Sequence, residues 1–212
     1  MTFARRHGSW RIGSILASVV LAAGCAVGPR PTLIATPAVE DPAISRVLDL
    51  LAAAPDGSFQ AEYLITVNYG GRTLTATVAN EPGRTSVTIG SIRFLSDDSG
   101  QRTCDLETGS CERGLDDTKT SDVQVTHQFW SRAMMNRLRT DSERNIAPAR
   151  ASDMVIAGSD AMCAVVPVTG GDKSYCASLS GPLALYGGPD LSIELSELRD
   201  EVDDSLFGVG GA

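Results

Sequence analysis

The stretch FQAEYLITVNYGGRTLTATVANEPGRTSVTI, residues 59–89, decides the fold of this protein. Apolar residues alternate with polar ones along most of it, which is the pattern of β-strands with one buried face. Gly70-Gly71 offers a two-residue hairpin turn, and Glu81-Pro82-Gly83-Arg84 has proline and glycine where a type II turn requires them. The spacing predicts a three-stranded antiparallel meander with one apolar face.

The two turns also set a register for the meander. The first turn places Val67 opposite Leu74, and the second places Val78 opposite Val87. Residues directly opposite on antiparallel strands share a face, so the apolar side chains of all three strands point to one side. After Gly90-Ser91 the apolar residues change parity, which a bulge or a turn explains.

A short helix is predicted just before the meander. Asp41 suits its N-cap, and Pro42 suits the first helical position. Apolar residues recur at three- and four-residue spacing along one face of this helix: Ile44, Val47, Leu48 and Leu51.

The pattern changes again downstream of the meander. Residues 97–122 are polar and rich in turns, and a second helix is predicted from about Val123 to Arg139. Its apolar stripe consists of Val123, His127, Phe129, Trp130, Ala133, Met134 and Leu138. Short strands are then expected at about 153–157, 161–168, 174–179, 183–186 and 190–195.

The first 24 residues have the features of an export signal. Three arginines precede the apolar run from Ile12 to Ala23, which is shorter than the roughly 20 residues that span a bilayer. The run ends in Leu21-Ala22-Ala23-Gly24-Cys25, which resembles the bacterial lipobox. In that motif the cysteine is lipidated and becomes the mature N-terminus. An ordinary secretory signal and a twin-arginine signal at Arg5-Arg6 are the alternatives.

These features divide the chain into four parts. We predict a lipoprotein signal peptide at 1–24 and a lipidated, proline-rich tether at 25–42. A folded domain follows at 43–205, with a disordered tail at 206–212. Two acyl chains on Cys25 would hold the protein on the extracytoplasmic face of the cytoplasmic membrane.

The remaining four cysteines suit an oxidising compartment. Three pairings are possible, and we favour Cys104–Cys111 and Cys163–Cys176. The first pair flanks Glu107-Thr108-Gly109, and the second brackets a turn at Thr169-Gly170. A structural zinc site is the competing interpretation, but neither pair has the short CxxC spacing that such sites use.

Composition and motifs argue against several classes of function. A net charge of −8 disfavours nucleic-acid binding. His127 is the one histidine after the signal, and a packed or rim position suits it better than a catalytic role. Asp97-Asp98-Ser99-Gly100 and Asp116-Asp117 are better explained as solvated turns than as calcium loops. We therefore expect no enzyme activity, no metal and no cofactor.

A secreted lipoprotein with a meander beginning Phe59-Gln60-Ala61-Glu62-Tyr63 resembles the LolA-like lipoproteins, which include mycobacterial envelope lipid carriers. The similar order of elements covers roughly residues 41–200. The resemblance implies an α+β fold, in which an antiparallel β half-barrel wraps around one or two helices and leaves an apolar cavity. It also implies non-covalent binding of a lipid and supplies no catalytic residues.

The leading hypothesis is a carrier or sensor of a lipid or other amphiphile in the cell envelope. One helix leaves part of such a sheet face uncovered, so we expect space for an acyl chain. The predicted ligand face comprises Phe59, Tyr63, Ile65, Val67, Leu74, Val78, Val87, Ile89, Phe129, Trp130 and Met134. The alternative is a protein-interaction or regulatory lipoprotein with a filled core, whose protein partner the sequence does not identify.

Overall fold

The computed structural model describes residues 41–208, and its eleven strands form one open antiparallel sheet. The strands are β1 Phe59–Val67, β2 Arg72–Glu81, β3 Arg84–Ile89, β4 Ile92–Asp97, β5 Gly100–Asp105, β6 Ser110–Arg113, β7 Arg150–Ile156, β8 Ser159–Val168, β9 Gly171–Ser178, β10 Leu183–Gly187 and β11 Leu191–Arg199. Their order is β6-β5-β4-β3-β2-β1-β11-β10-β9-β8-β7. Two meanders are thus joined through the pairing of β1 with β11, and β6 and β7 form the edges.

The helices are few and short. They are α1 Pro42–Ala53 and α2 Arg132–Ser142, with 3₁₀ turns at Ala54–Asp56, Asp117–Val123 and Asp204–Phe207. Asp41 caps α1 as predicted, because its carboxylate accepts a hydrogen bond of 2.9 Å from the Ala43 amide. In the described part of the chain, no helix is long and apolar enough to cross a membrane.

The predicted meander is present, with one change of register. Val78 lies opposite Val87 and Gly90-Ser91 forms a tight turn, as predicted. In the first hairpin, however, Val67 lies opposite Arg72 rather than Leu74. Residues 68–71 all belong to the turn, and the amide of Asn68 donates to the carbonyl of Asp190, which lies next to the start of β11. The shift is two residues, so the apolar side chains keep their common face.

The structure differs from the prediction at two places in the middle of the chain. Residues 97–122, predicted to be rich in turns, also contain strands β5 and β6, and the second helix begins at Arg132 rather than near Val123. Gln124 has a positive φ of 59°, which ends the preceding 3₁₀ turn and redirects the chain. Residues 124–131 are therefore irregular. In the sequence they lie between strands β6 and β7, which form the two edges of the sheet.

One face of the sheet, here called the inner face, holds the core. A row of residues paired from strand to strand crosses it: Ala164, Tyr175, Tyr186, Ile193, Ile65 and Leu74. The predicted apolar face of α1 is buried in the same cluster, beside side chains of α2. Burial of both sets removes apolar area from water, which stabilises the packing of helices on the sheet.

The ends of the described chain can be compared with the predicted division into signal peptide, tether, domain and tail. Leu206 and Gly208 accept hydrogen bonds from the side chains of Ser86 and Arg93, so the sheet holds the chain as far as residue 208. This departs from the tail predicted at 206–212. The signal peptide, nearly all of the tether and Cys25 lie outside the described residues.

The cysteine pairs lie where the sequence placed them. Cys104 lies opposite Cys111 across β5 and β6, and Cys163 lies opposite Cys176 across β8 and β9. Both pairs are at disulfide distance, with Cα atoms 4.0 Å apart in each pair. Each bridge joins neighbouring strands near an edge of the sheet.

Candidate binding groove

A groove of about 770 Å³ lies between the inner face of β2–β5 and the segment 127–139. Its volume is within the range of about 300–1,000 Å³ typical of small-molecule sites. The end of α1 and the following 3₁₀ turn close one side through Leu51, Ala52 and Pro55. The groove is partly open to solvent, so a ligand can enter it from outside.

The walls of the groove combine apolar and polar side chains. Phe94, Val87 and Trp130 are almost completely buried, and Leu115 and Met135 are half-buried beside them. The polar lining includes Thr85, Ser96, Gln101, His127, Gln128 and Ser131. A site of this composition suits a molecule that has both an apolar part and a polar part.

Hydrogen bonds hold the irregular segment that forms one wall. Asp117 accepts a hydrogen bond of 2.8 Å from the His127 amide and lies 2.9 Å from His127 Nδ1. Trp130 donates its indole N–H to the His127 carbonyl over 3.2 Å, and its ring packs edge-on against Phe59. These contacts fix Trp130 as a wall residue, although no regular helix contains it.

Asn80 braces the closed side of the groove. Its side-chain amide donates to the carbonyls of Gly57 and Pro55 over 2.7 and 3.1 Å, and its Oδ1 accepts from Thr85 over 2.8 Å. Asn80 is 1% exposed, so these bonds satisfy polar atoms that water does not reach. The turn after α1 is thereby attached to β2 and β3.

Three arginines line the groove, and they differ in their partners. Arg84 is held by Glu81 and Asp204 and lies over the ring of Phe207, at 4.0 Å from its centre. The carboxylates of Asp204 and Glu81 raise the pKa of Arg84. Arg132 and Arg139 are exposed, and neither guanidinium has an ion-pair partner among residues 41–208. These two are therefore the positive charges available to a ligand.

The spacing along α2 explains why both free arginines reach the groove. Arg132, Met135 and Arg139 are three and four residues apart, which places them on one face of the helix. The neighbouring face of α2 carries Met134 and Leu138, which are buried in the core. The predicted stripe is thus confirmed for α2, and a second, mixed stripe faces the groove.

The predicted ligand face is distributed differently from the prediction. Of its eleven residues, only Val87 and Trp130 line the groove. Leu74 packs at the margin of the core, and the other eight side chains lie inside it: Phe59, Tyr63, Ile65, Val67, Val78, Ile89, Phe129 and Met134. The prediction counted one helix as the main cover, whereas α1 and the irregular segment also cover this face.

Sequence reasoning missed most of the groove. Arg132, Met135 and Arg139 have the spacing of a second helical stripe, but two charged residues and one apolar residue do not by themselves indicate a groove. Leu115 and the β5 residue Gln101 fall in a stretch interpreted as turns, so no pattern indicated a wall there. Their position follows from the pairing of β4 with β5, which carries the sheet past the meander.

Asp97 and Asp116 lie in capped turns. They accept hydrogen bonds from the hydroxyls and the backbone amides of Ser99 and Thr118, respectively, and these bonds lower the pKa of both carboxylates. Among the residues described, no group of three His, Cys, Asp or Glu side chains could hold a metal ion. Within residues 41–208, no hydroxyl group forms a hydrogen bond with Nε2 of His127, as a nucleophile activated by a histidine would.

No family model matches this sequence, and no curated protein matches it. Solved structures with a similar chain path include MucB in the MucA/MucB complex of Pseudomonas aeruginosa. That match has a TM-score of 0.48 and 15% identity over 77% of this chain and 60% of the other. Another crystal structure of MucB has a TM-score of 0.46 and 15% identity, over 77% of this chain and 62% of the other. This chain therefore spans about three fifths of the length of the MucB structures.

A third similar structure is a LolA superfamily protein from Nitrosomonas europaea. Its TM-score is 0.37 and its identity 12%, over 78% of this chain and 97% of the other.

Proposed function

We propose that this protein is a non-enzymatic extracytoplasmic lipoprotein that binds an amphiphile with an anionic head in the groove. One observation carries the proposal. Arg132 and Arg139 are free of ion pairs within the described chain, and they flank a wall of apolar side chains that includes Trp130. Apolar contact supplies affinity for a chain or ring, and the guanidinium groups supply selectivity for a carboxylate or phosphate.

The groove replaces the enclosed cavity as the proposed lipid site. Eight of the eleven residues of the predicted ligand face fill the core, so an acyl chain inserted among them would have to displace packed side chains. The groove needs no such displacement. Arg84 has two carboxylate partners, so it contributes less to an anionic ligand than Arg132 and Arg139 do.

The alternative function is protein interaction by a domain with a filled core. The packing of the predicted ligand face favours it, since a filled core leaves function to the surface. The two proposals differ in what the groove binds.

The proposal is tested with the chain lacking residues 1–25, in which Trp130 is the only tryptophan. Its fluorescence reports on the groove wall directly. Titration with palmitate should shift the emission, and hexadecanol, which has the same chain and no charge, should bind more weakly.

Paired variants separate the role of charge from that of apolar contact. Replacing Arg132→Gln and Arg139→Gln together should weaken palmitate binding by about tenfold and leave hexadecanol unaffected. Arg113→Gln with Arg144→Gln is the matched control, because both side chains are exposed and lie outside the groove. Equal binding of palmitate by all three proteins would refute the anionic-head proposal, and no binding by any of them would favour the alternative.

The proposed anchor is tested separately. Mass spectrometry of the mature N-terminus should find a diacylated Cys25, and Cys25→Ala should release the protein from membranes or leave it uncleaved. An unmodified Cys25 in the wild-type protein would contradict the anchor.

A further inference from the structure

Strand β7 forms a free edge of the sheet. It pairs only with β8, and no strand in the described part of the chain pairs with its other side. Six of its seven residues are exposed, from Arg150 to Val155. A row of unpaired backbone groups on an exposed strand is a template for pairing with another extended segment.

The turn between β7 and β8 shows which backbone groups face outward. Ala157 and Gly158 both have positive φ, 50° and 77°, which identifies a two-residue turn of type I′. Ile156 and Ser159 flank this turn and so exchange hydrogen bonds. Because bonded and non-bonded pairs alternate, the N–H and C=O groups of Ala151, Asp153 and Val155 point away from β8.

The two edges of the sheet differ in length and in the apolar surface that they expose. Strand β6 has four residues and is tied to β5 by the Cys104–Cys111 bridge. Short length is a common defence of an edge strand. Strand β7 is longer and exposes apolar side chains, with Met154 46% and Val155 68% exposed.

A second apolar surface adjoins the outward edge. Met154, Val155 and Leu179 line a depression of about 400 Å³ at the hairpin end of β7. Asp153 and Asp160 stand at the same depression, and neither has an ion-pair partner within residues 41–208. Arg150, at the far end of β7, is already paired with Asp172. The free end of the edge is thus apolar and acidic.

We propose that β7 is a docking edge for an extended segment of another protein, which adds to the sheet as a twelfth strand. The segment would carry apolar residues at alternate positions and a lysine or arginine that meets Asp153 or Asp160. Main-chain hydrogen bonds to Ala151, Asp153 and Val155 would provide affinity, and the apolar and acidic side chains would provide selectivity.

Charge argues for a different protein rather than a second copy. Two copies of β7 pairing antiparallel about their middle residue would set the two Asp153 carboxylates opposite each other. Like charges directly opposite destabilise a strand pair. A basic segment gains a favourable contact at the same position.

The test measures binding of a fluorescein-labelled peptide of alternating valine and lysine. The chain is used as bacterial cells produce it, in the presence of phosphatidylcholine nanodiscs, with empty nanodiscs as the blank. We expect saturable binding, and we expect the same peptide with glutamate in place of lysine to bind at least about tenfold more weakly.

Val155→Pro is the decisive variant. Proline removes one outward N–H but no bond to β8, so the hairpin is retained while peptide affinity falls by about tenfold or more. Val155→Ala is the matched control, since it loses the side chain and keeps the N–H, and its effect should be smaller. Circular dichroism and melting of both variants check the fold.

Several outcomes would overturn the proposal. Unchanged affinity in Val155→Pro, or equal binding of the glutamate peptide, would do so. Dimerisation of the wild-type chain that Val155→Pro abolishes would identify a second copy as the occupant. Peptide binding that appears only after residues 26–40 are removed would identify the chain's own upstream segment. All of these readouts leave the groove untouched, so they are independent of the amphiphile proposal.

Discussion

The inner face of the sheet has two regions that differ in how completely they are filled. Over β8–β11 and β1, side chains from α1 and α2 pack into the row that contains Tyr175 and Ile193, and these side chains are buried. Over β2–β5, the covering chain is irregular and the groove remains. A regular helix presents a continuous apolar stripe to a sheet, whereas an irregular segment places its side chains where local hydrogen bonds direct them.

The two regions also differ in the burial and the partners of their charged side chains. In the filled region Asp141 is 4% exposed, and it accepts hydrogen bonds from Lys173 and from the Tyr175 hydroxyl. In the groove, Arg132 and Arg139 face solvent. Buried charge needs partners to avoid a large desolvation cost, and exposed charge is free to bind a ligand. The filled region therefore contributes to the stability of the fold, and the groove offers free charges that can select a ligand.

The largest expected effect compares one core residue with one groove residue. Phe129→Ala removes a fully buried ring that packs edge-on against Tyr63, and we expect it to lower the free energy of unfolding by about 3–5 kcal/mol. Met135→Ala removes a half-buried groove side chain and should cost only about 1 kcal/mol. Urea unfolding of both variants measures the difference. Equal losses would show that the two regions are packed alike.

The second prediction breaks the polar network of the filled region. Lys173→Met removes the cation that lies 2.8 and 3.0 Å from the Asp141 oxygens and leaves a buried carboxylate without its charge partner. The free energy of unfolding should fall by about 3 kcal/mol. The double variant Asp141→Asn with Lys173→Met removes the buried charge while an amide oxygen still accepts from Tyr175. It should regain part of the loss, and a further loss would contradict the role given to the charge.

The fold was predictable where periodicity alone decided it. Alternation over residues 59–89 predicted β1–β3 and their common face, and the spacing of Ile44, Val47 and Leu51 predicted α1. The first hairpin was displaced by two residues, because residues 68–71 form a four-residue turn in place of the two-residue turn Gly70-Gly71. Turn length sets the register of a hairpin, and the glycine pair alone did not fix that length.

The groove was less predictable, for a related reason. The pattern from Val123 to Leu138 has a helical period, but Gln124 with its positive φ and the Asp117–His127 contact prevent a helix before Arg132. A helix through these residues would have placed Phe129 and Trp130 on one stripe. In the structure Phe129 lies in the core and Trp130 lines the groove. Hydrogen bonds between distant residues thus determine which apolar side chains line the groove and which lie in the core.

A third prediction concerns an unpartnered hydroxyl in the core. Tyr63 is 1% exposed, and its hydroxyl has no hydrogen-bond partner in the described structure. Burial also raises the pKa of this phenol. Tyr63→Phe should raise the free energy of unfolding by about 1 kcal/mol, because an unsatisfied buried group is removed and the ring is kept. A decrease in stability would indicate that the hydroxyl binds a water or a ligand group, and that the core is less completely filled than its side chains indicate.

Tyr186→Phe gives a comparison for Tyr63 in a region where the hydroxyl has a neighbour. Tyr186 lies under the guanidinium of Arg137, and its hydroxyl is 3.5 Å from an Asp190 oxygen. Burial raises the pKa of Tyr186 to about 12, so the phenol stays protonated over the usual range of pH. We expect Tyr186→Phe to be neutral or slightly destabilising in the same urea assay.

The smallest expected effect depends on pH and involves Asp190, which is ion-paired with Arg137 at the margin of the filled region. Burial raises the pKa of this carboxyl, but the hydrogen bond and charge of Arg137 outweigh burial, so the pKa lies below 3.8. A carboxylate with a lowered pKa in the folded state stabilises the protein above its ordinary pKa, and this contribution is lost as the pH falls through the folded value.

Wild-type protein should therefore be more stable than Asp190→Asn at pH 6, and the difference should shrink toward pH 3. The side chains are partly exposed, so the difference should stay under about 1 kcal/mol. In an Arg137→Gln background the largest contributions that lower the pKa of Asp190 are removed, and a backbone hydrogen bond and the charge of Lys173 remain to oppose burial. The pH dependence of the Asp190→Asn difference should therefore shrink or reverse. If the dependence persists without Arg137, the ion pair is not its cause, and the margin of the filled region is held by other contacts.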